Sequence, residues 1–351
     1  MTDFRDKLSD LEQAHLAKAG GQQNAFERGI TASDLMSKEF DPIRWIIPEY
    51  LPEGMAVLAG APKLGKTWLV LDWMVAVASG GEAMGSIPCE EGDVLGLMLE
   101  DNERRLQRRL GLLRREAMPE RLTLLTEWPN LDDGCAGEIE AWIAAKPRPR
   151  LVVVDIFGRV RGARRGKETD YDSDYRQAAM LQSIASKHNL AVIVIHHTRK
   201  MAADDPFDEV SGTRGLTGAA DTVLVLKRDG TTQQPVIYGR GRDLEEVETA
   251  VQFDGETGTW EIIGKAWLVA DTHERRDIQQ VLKSKHPDPM TPKEIGEVLG
   301  KSAANIQKML SKMEGEGQVL RVKRGLYVLV ETVVTDGSVS TETTKTTTPI
   351  R

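Results

Sequence analysis

Gly60-Ala61-Pro62-Lys63-Leu64-Gly65-Lys66-Thr67 fits the phosphate-loop pattern G-x-x-x-x-G-K-[ST] without a mismatch. An apolar run at residues 55–59 precedes it, and a second apolar stretch at residues 68–78 follows, so the motif falls between an expected strand and an expected helix. That setting is what the chemistry needs. Gly60 and Gly65 let the backbone turn, Ala61, Pro62, Lys63 and Leu64 form the body of the cradle, and the helix opening at Lys66, Thr67 and Trp68 points its N–H groups at a polyphosphate. Lys66 is expected at the β- and γ-phosphates and Thr67 on Mg²⁺, with ATP as the nucleotide. The alternative is a glycine-rich turn with an incidental lysine, and the correct flanks on both sides argue against it.

Around this motif the chain has 351 residues, enough for one large core and a smaller second domain. Hydrophobic residues make up 40% and charged residues 28%, as in a globular domain, and no apolar run approaches the roughly eighteen residues of a membrane span. No membrane association is therefore expected. The N-terminus lacks the basic-then-apolar layout of a secretory signal and only Cys89 and Cys135 are cysteines, so a reducing cytoplasm is the expected compartment. The net charge of −8 means that any nucleic-acid contact must come from local basic clusters.

Residues 1–42 read as an N-terminal arm or isolated helix, with a weak helical pattern through Phe4, Leu8, Leu11 and Leu16. From residue 43 to 265, short apolar runs alternate with longer amphipathic stretches, which predicts an α/β fold: a mostly parallel sheet with helices on both faces. Strands are expected at 55–59, 93–99, 122–125, 151–154, 191–195, 222–227 and 235–239, and helices at 102–115 and 175–188. Residues 266–330 change character. Three short helices at 271–284, 291–299 and 302–314 precede two β runs at 319–324 and 325–330 that turn at Arg324-Gly325, the layout of a small winged helix-turn-helix domain. The Thr/Ser/Val-rich tail, 331–351, is expected to be disordered.

Three strand ends carry chemistry. Leu151-Val152-Val153-Val154-Asp155 ends in a carboxylate placed to share Mg²⁺ with Thr67, although many buried parallel strands end in Asp. Leu97-Met98-Leu99-Glu100 ends in a candidate general base that can polarise the attacking water; the bland alternative is that Glu100 or Asp101 caps the following arginine-rich helix. Ile193-Val194-Ile195-His196-His197 ends in a histidine pair. Without a Cys or acidic partner at ligand spacing, metal binding is disfavoured, and one imidazole, assigned to His197, is expected to sense phosphate or water while the other packs in the core.

The order of these elements, followed by Ser211-Gly212-Thr213-Arg214-Gly215-Leu216, resembles the RecA-like P-loop ATPases, and within them the RepA-type replicative helicases of plasmids and phages, relatives of the DnaB hexamers. The resemblance covers residues 43–263. It implies a homo-oligomeric ring, expected as a hexamer, in which each ATP site is completed by basic residues of the next protomer. Arg240 and Arg242 fall where that basic pair stands; the family often has Lys at the first position, and which arginine acts as the finger is open. It also implies two loops facing single-stranded DNA. The first carries Arg159, Arg161, Arg164, Arg165 and Lys167 with two glycines and no acid; the second carries Arg199, Lys200 and Arg214, with Phe207 as its aromatic. A primase or replication initiator is the further partner such a ring implies. In the C-terminal region, the helix opening at Ser302 with Asn305 and Lys308 is the candidate recognition helix, and Arg321, Lys323 and Arg324 supply charge on the wing, although winged helices also dock proteins.

The leading expectation is thus an ATP-driven motor on DNA, a replicative helicase of a mobile element. A regulatory or assembly ATPase that switches DNA or partner binding without unwinding is the rival, and a small-molecule kinase is a third reading, weakened by the absence of a lid or acceptor site.

Overall fold

The computed structural model describes residues 29–113, 117–198, 205–230, 233–330, 333–335 and 338–340. It divides into two units, residues 1–43 and residues 44–351. In the first unit the described part holds one short exposed helix, Ala32–Met36, whose N-cap Thr31 accepts a hydrogen bond from the Asp34 N–H.

The second unit opens with a small antiparallel hairpin, β1 (Trp45–Ile47) and β2 (Leu51–Pro52). Next come β3 (Gly54–Gly60), the short pair β4 (Glu82–Ala83) and β5 (Ile87–Pro88), β6 (Asp93–Met98), β7 (Leu122–Leu125), β8 (Pro149–Asp155) and β9 (Ala191–His197). β10 (Thr222–Arg228), β11 (Pro235–Gly241), β12 (Val247–Asp254) and β13 (Thr259–Lys265) complete a nine-stranded sheet of order β13-β12-β11-β10-β3-β9-β8-β6-β7. The pairs from β7 to β10 are parallel, and those from β10 to β13 are antiparallel.

The parallel part is buried on both faces, which explains its continuous apolar runs. On one face, Leu69, Trp73 and Met74 of the helix Lys66–Ser79 pack with Leu58, Val153, Ile193 and Leu224. That helix approaches so closely that a Cβ on Gly96 of β6 would lie 2.7 Å from Met74 Sδ. On the other face, Ile139 and Ile143 of the helix Cys135–Ala145 and Leu181 and Ile184 of the helix Asp170–His188 cover Val57, Val152, Val154 and Val192. Each such side chain contributes about 1.5–3 kcal/mol on burial.

All seven expected strands are present. β12 and β13 are additional, as is the helix Cys135–Ala145. The helix expected from 175 begins at Asp170 because Thr169 and Asp172 form a capping box, each bonding the other's backbone N–H.

β13 passes directly into the 20-residue helix Ala266–Lys285 at Lys265, five residues before the expected start. Two more helices follow, Pro292–Leu299 with a Thr291/Glu294 capping box and Ala303–Gly315 with Ser302 as N-cap. The hairpin Val319–Lys323 and Leu326–Leu329 turns at Arg324-Gly325, where Gly325 has φ 75°. Ile278, Leu282, Ile295, Ile306, Leu310 and Tyr327 form a separate hydrophobic cluster among these elements. In the stretch expected to lack order, Val333–Thr335 pairs with Ser338–Ser340, consistent with its β-branched residues; the rest of that tail lies outside the described residues. No described helix is long and apolar enough to cross a membrane.

Candidate nucleotide site

The site is assembled by strand order. Across the carboxyl ends of neighbouring strands, Gly60 of β3 is in register with His197 of β9, and Met98 of β6 with Asp155 of β8. One sheet edge therefore presents the phosphate loop, the sensor candidate, the candidate Mg²⁺ carboxylate and the strand leading to Glu100. The crevice outside such strand ends is where open α/β sheets take ligands.

Gly60 ends β3 where a Cβ would lie 2.5 Å from the Leu226 carbonyl oxygen. Gly65, the helix N-cap, has φ 102°, a conformation that favours glycine, and no side chain caps the helix's first turn. The helix N-terminus is therefore left with its dipole and unclaimed donors directed at the loop. A cavity of about 320 Å³ lies beside it, lined by Ala61, Pro62, Lys63, Leu64, Leu226 and Arg228. Behind the loop, Trp260 of β13 donates from Nε1 to the Gly65 carbonyl at 3.2 Å, and a Cβ on Gly65 would lie 2.7 Å from its ring. The turn between β12 and β13 rests on Trp68, which a Cβ on Gly258 would meet at 2.5 Å.

Lys66 is buried, and its Nζ donates to the carbonyls of Gly60 at 2.7 Å and Ala61 at 2.9 Å while lying 3.1 Å from His197 Nδ1. Burial pulls its pKa down to about 8 against the opposing charges of Asp155 and Glu100. An ammonium donor makes His197 Nδ1 the acceptor, which puts the ring proton on Nε2, 3.8 Å from Glu100 Oε2. Burial and then Lys66 keep the imidazole below its usual pKa. Thr67 Oγ1 donates to Asp155 Oδ2 at 2.8 Å; burial pushes Asp155 up to about 6, with that hydrogen bond as the main opposing influence. The adjacent His196 projects to the opposite face of β9, as strand alternation requires. Among the described residues no cluster of His, Cys, Asp and Glu could hold a metal by itself.

Glu100 is half-exposed in the turn after β6. Neither it nor Asp101 caps the next helix: Asn102 does, accepting from the Arg105 N–H at 2.9 Å. Asp101, 5% exposed, is paired instead with Arg105 at 2.8 Å and with Arg109, whose guanidinium also lies 5.4 Å from the centre of the Trp68 ring. Asp101 therefore ties the Glu100 turn to the phosphate-loop helix.

Arg240 lies near the end of β11 and Arg242 immediately after it. Arg240 Nη1 is 3.3 Å from Asp205 Oδ2 and its guanidinium carbon 3.9 Å from the Phe207 ring centre. Arg242 pairs with Asp221 at 2.8 Å, and the other Asp221 oxygen accepts the Met55 N–H at 2.9 Å. Phe207, the aromatic of the second loop, thus lies against an arginine.

The basic loop after β8 is tethered by ion pairs to other segments. Arg159 belongs to the short helix Phe157–Val160. Arg161 is 2.7 Å from Asp174 and 3.6 Å from Asp170, Arg164 is 3.5 Å from Asp170, and Arg165 is 2.8 Å from Asp132. Hydrogen bonds from Arg176 and the Arg165 backbone hold Glu168 down at about 2. The loop itself has no acid before Glu168, and the partners arrive from distant or following segments. Neither Arg159 nor Lys167 has an ion pair among the described residues. Arg199 and Lys200 lie outside the described residues, and Arg214 opens the helix Arg214–Ala219.

Trp260 and the Asp101–Arg109 pair were not singled out by the motif reading. Trp260 alone left a local trace, an alternation with Ile262 in a strand-like run.

The family described as "AAA domain" matches residues 23–203. Among solved structures, the chain is similar at 13% identity to one described as an ATPase domain, covering 60% of this chain and 84% of that one with a TM-score of 0.48. It is similar at 14% identity to a DnaB-like replicative helicase described with its interactions with primase, covering 59% and 57% with a TM-score of 0.48. The KaiC-like protein PH0186 of Pyrococcus horikoshii OT3 is 12% identical, covering 63% and 99% with a TM-score of 0.45. No curated protein sequence matches. With the family match spanning just over half of the chain, this chain belongs to the AAA-domain family.

Proposed function

We propose that the chain is an ATP-hydrolysing motor on single-stranded DNA, a ring-forming replicative helicase of a mobile element. The observation that carries the reading is the convergence of Lys66, Thr67, Glu100, Asp155 and His197 at one sheet edge through two sets of contacts, Thr67–Asp155 and Lys66–His197–Glu100. Its DNA and ring components rest on the motif order. Residues 43–265 would be the motor, residues 266–330 a winged helix-turn-helix and residues 1–42 an arm.

The donor set fits Mg²⁺: a hydroxyl and a carboxylate, both hard oxygen ligands, 2.8 Å apart beside an uncapped helix N-terminus. Thr67 and Asp155 would hold the ion, which when bound neutralises charge on the phosphate oxygens. Lys66 exchanges its loop carbonyls for phosphate oxygens. Glu100 takes the proton of the attacking water, and His197, lying between Lys66 and Glu100, registers whether that lysine is engaged. Arg240 and Arg242 would act on the ATP of a neighbouring protomer.

One observation favours the rival, a nucleotide-switched ATPase that does not unwind: Arg161, Arg164 and Arg165 are already matched by acids. Steady-state ATP hydrolysis with and without single-stranded DNA, run beside a fork-unwinding assay, separates the two. A motor hydrolyses faster with DNA and separates the fork. ATP hydrolysis with an intact fork would favour the switch.

A further inference from the structure

A cavity of about 800 Å³ lies between the antiparallel end of the main sheet and the first half of the helix Ala266–Lys285. That volume suits a single small molecule. No residue of the phosphate loop lines it, and it shares only Arg228 with the smaller cavity beside that loop. Its charge has one sign: Arg228, His273 and Arg276 line it and no Asp or Glu does, in a chain of net charge −8.

The helix sorts its own charges to produce this lining. Asp271 lies 3.0 Å from Arg275 and 3.0 Å from Lys312, and Glu274 pairs with Lys301, so both acids are engaged by cations away from the cavity. Val269, Thr272, His273 and Arg276 recur at helical spacing as the stripe along the cavity. Neither His273 nor Arg276 has an ion pair or hydrogen bond among the described residues. Arg228, at the end of β10, donates through Nη1 to the Gln233 carbonyl at 3.0 Å. Asp229, the next residue, lines a separate and smaller cavity with Glu248. A guanidinium with no carboxylate beside it is matched by phosphate, whose oxygens accept its paired N–H donors.

The rest of the wall is apolar or amide. Ile263 and Leu268, 39% and 46% exposed, leave apolar surface open along it, and Phe253 is held there with its ring centre 5.2 Å from that of Trp260 and 5.9 Å from that of Trp68. Gln233, Gln234 and Gln252 add amides, each able to donate and to accept; Gln234 is fixed by a 2.6 Å bond from its Nε2 to the Val251 carbonyl. Guanidinium charge, an apolar wall and amides answer to the three parts of a nucleotide: phosphate, the flat face of a base, and its hydrogen-bonding edge. We propose that this cavity is a second nucleotide site, separate from the phosphate loop, which takes a free nucleotide with its phosphate on Arg276 and its base on the apolar wall. The proposal does not draw on the motor reading.

Equilibrium dialysis of the full chain against ADP, with the bound ADP counted at saturation, tests it. Two ADP per chain are expected. Arg276→Glu, at an exposed position, weakens one of the two by more than about tenfold, as loss of a charged hydrogen-bond donor does. The other ADP and basal ATP hydrolysis are unchanged in that variant, and His273→Ala weakens the same site to a smaller degree. If the glutamate variant does not fold, Arg276→Gln puts the same question. One ADP per chain, indifferent to Arg276→Glu, overturns the proposal. One ADP per chain that Arg276→Glu does weaken makes the cavity the base end of the phosphate-loop site, and a second site is overturned equally. Displacement of the second ADP by single-stranded oligothymidylate would assign the cavity to a nucleic-acid strand and overturn the free nucleotide as its ligand.

Discussion

The two parts of the main sheet do different work. From β7 to β10 the strands are parallel and carry Glu100, Asp155, His197 and the phosphate loop at their carboxyl ends or just beyond. From β11 to β13 they are antiparallel, and only Arg240 and Arg242 of that extension are candidates for chemistry. Yet the extension braces the loop from behind, through Trp260 on Gly65 and the β12–β13 turn on Trp68. The parallel part gathers reactive groups because successive strands end at a shared crevice. The antiparallel part offers no such edge, and it contributes rigidity and an outward pair of cations.

This division can be broken by substitution. Lys66→Ala should abolish ATP turnover, by a thousandfold or more, while the chain remains folded, since no other described cation reaches the same carbonyl-lined position. Circular dichroism beside a phosphate-release assay checks both parts. Trp260→Ala should do the reverse and strike stability first, by roughly 3–5 kcal/mol in urea unfolding, because it empties a fully buried ring site and removes the support of Gly65. A Trp260→Ala protein as stable as its parent would end the bracing argument.

Glu100→Gln should leave ATP bound and slow hydrolysis by about a hundredfold, as loss of a general base does. Equilibrium nucleotide binding and single-turnover hydrolysis together check this, and normal turnover would place the base elsewhere. The smallest expected effect concerns the tethered loop. Burial raises the pKa of Asp174, with Arg161 as the main opposing influence, so Arg161→Ala should let it rise further. A carboxyl raised in the folded state disfavours folding where it is ionised, and that penalty fades as pH falls through its folded pKa. The cost of Arg161→Ala, about 1–3 kcal/mol at neutral pH for a buried group left unpaired, should therefore shrink on acidification. Urea unfolding of both proteins at pH 7 and at about pH 5 reads the difference, and a cost independent of pH would dissolve the pair.

The same contrast explains what could be read from the chain. Leu151-Val152-Val153-Val154-Asp155 and its counterparts are legible because burial on both faces demands unbroken apolar runs and the chemistry sits at their ends. β12 and β13 cover one face only, so Thr249, Glu261 and Lys265 interleave with Val251, Trp260 and Ile262 and the signal is diluted. The capping box at Thr169 and Asp172 was local enough to find, but the run of acids there reads as a polar loop. Nothing local joins Arg165 to Asp132 or Arg240 to Phe207, because those partners meet only when separate strands and helices are stacked. Within the site, the phosphate loop and the strand-end residues are legible in the sequence, while the residues that brace or hold them are not.

The junction at Lys265 has the geometry of a lever. β13 grips the phosphate loop through Trp260 and, five residues on, becomes the helix Ala266–Lys285 with no intervening linker. Twenty residues of helix make a rod of about 30 Å. A tilt of about 5° at its root would carry the far end through roughly 2.5 Å. A fraction-of-an-ångström adjustment under Gly65 would thus arrive, amplified, at the C-terminal helices and their hairpin.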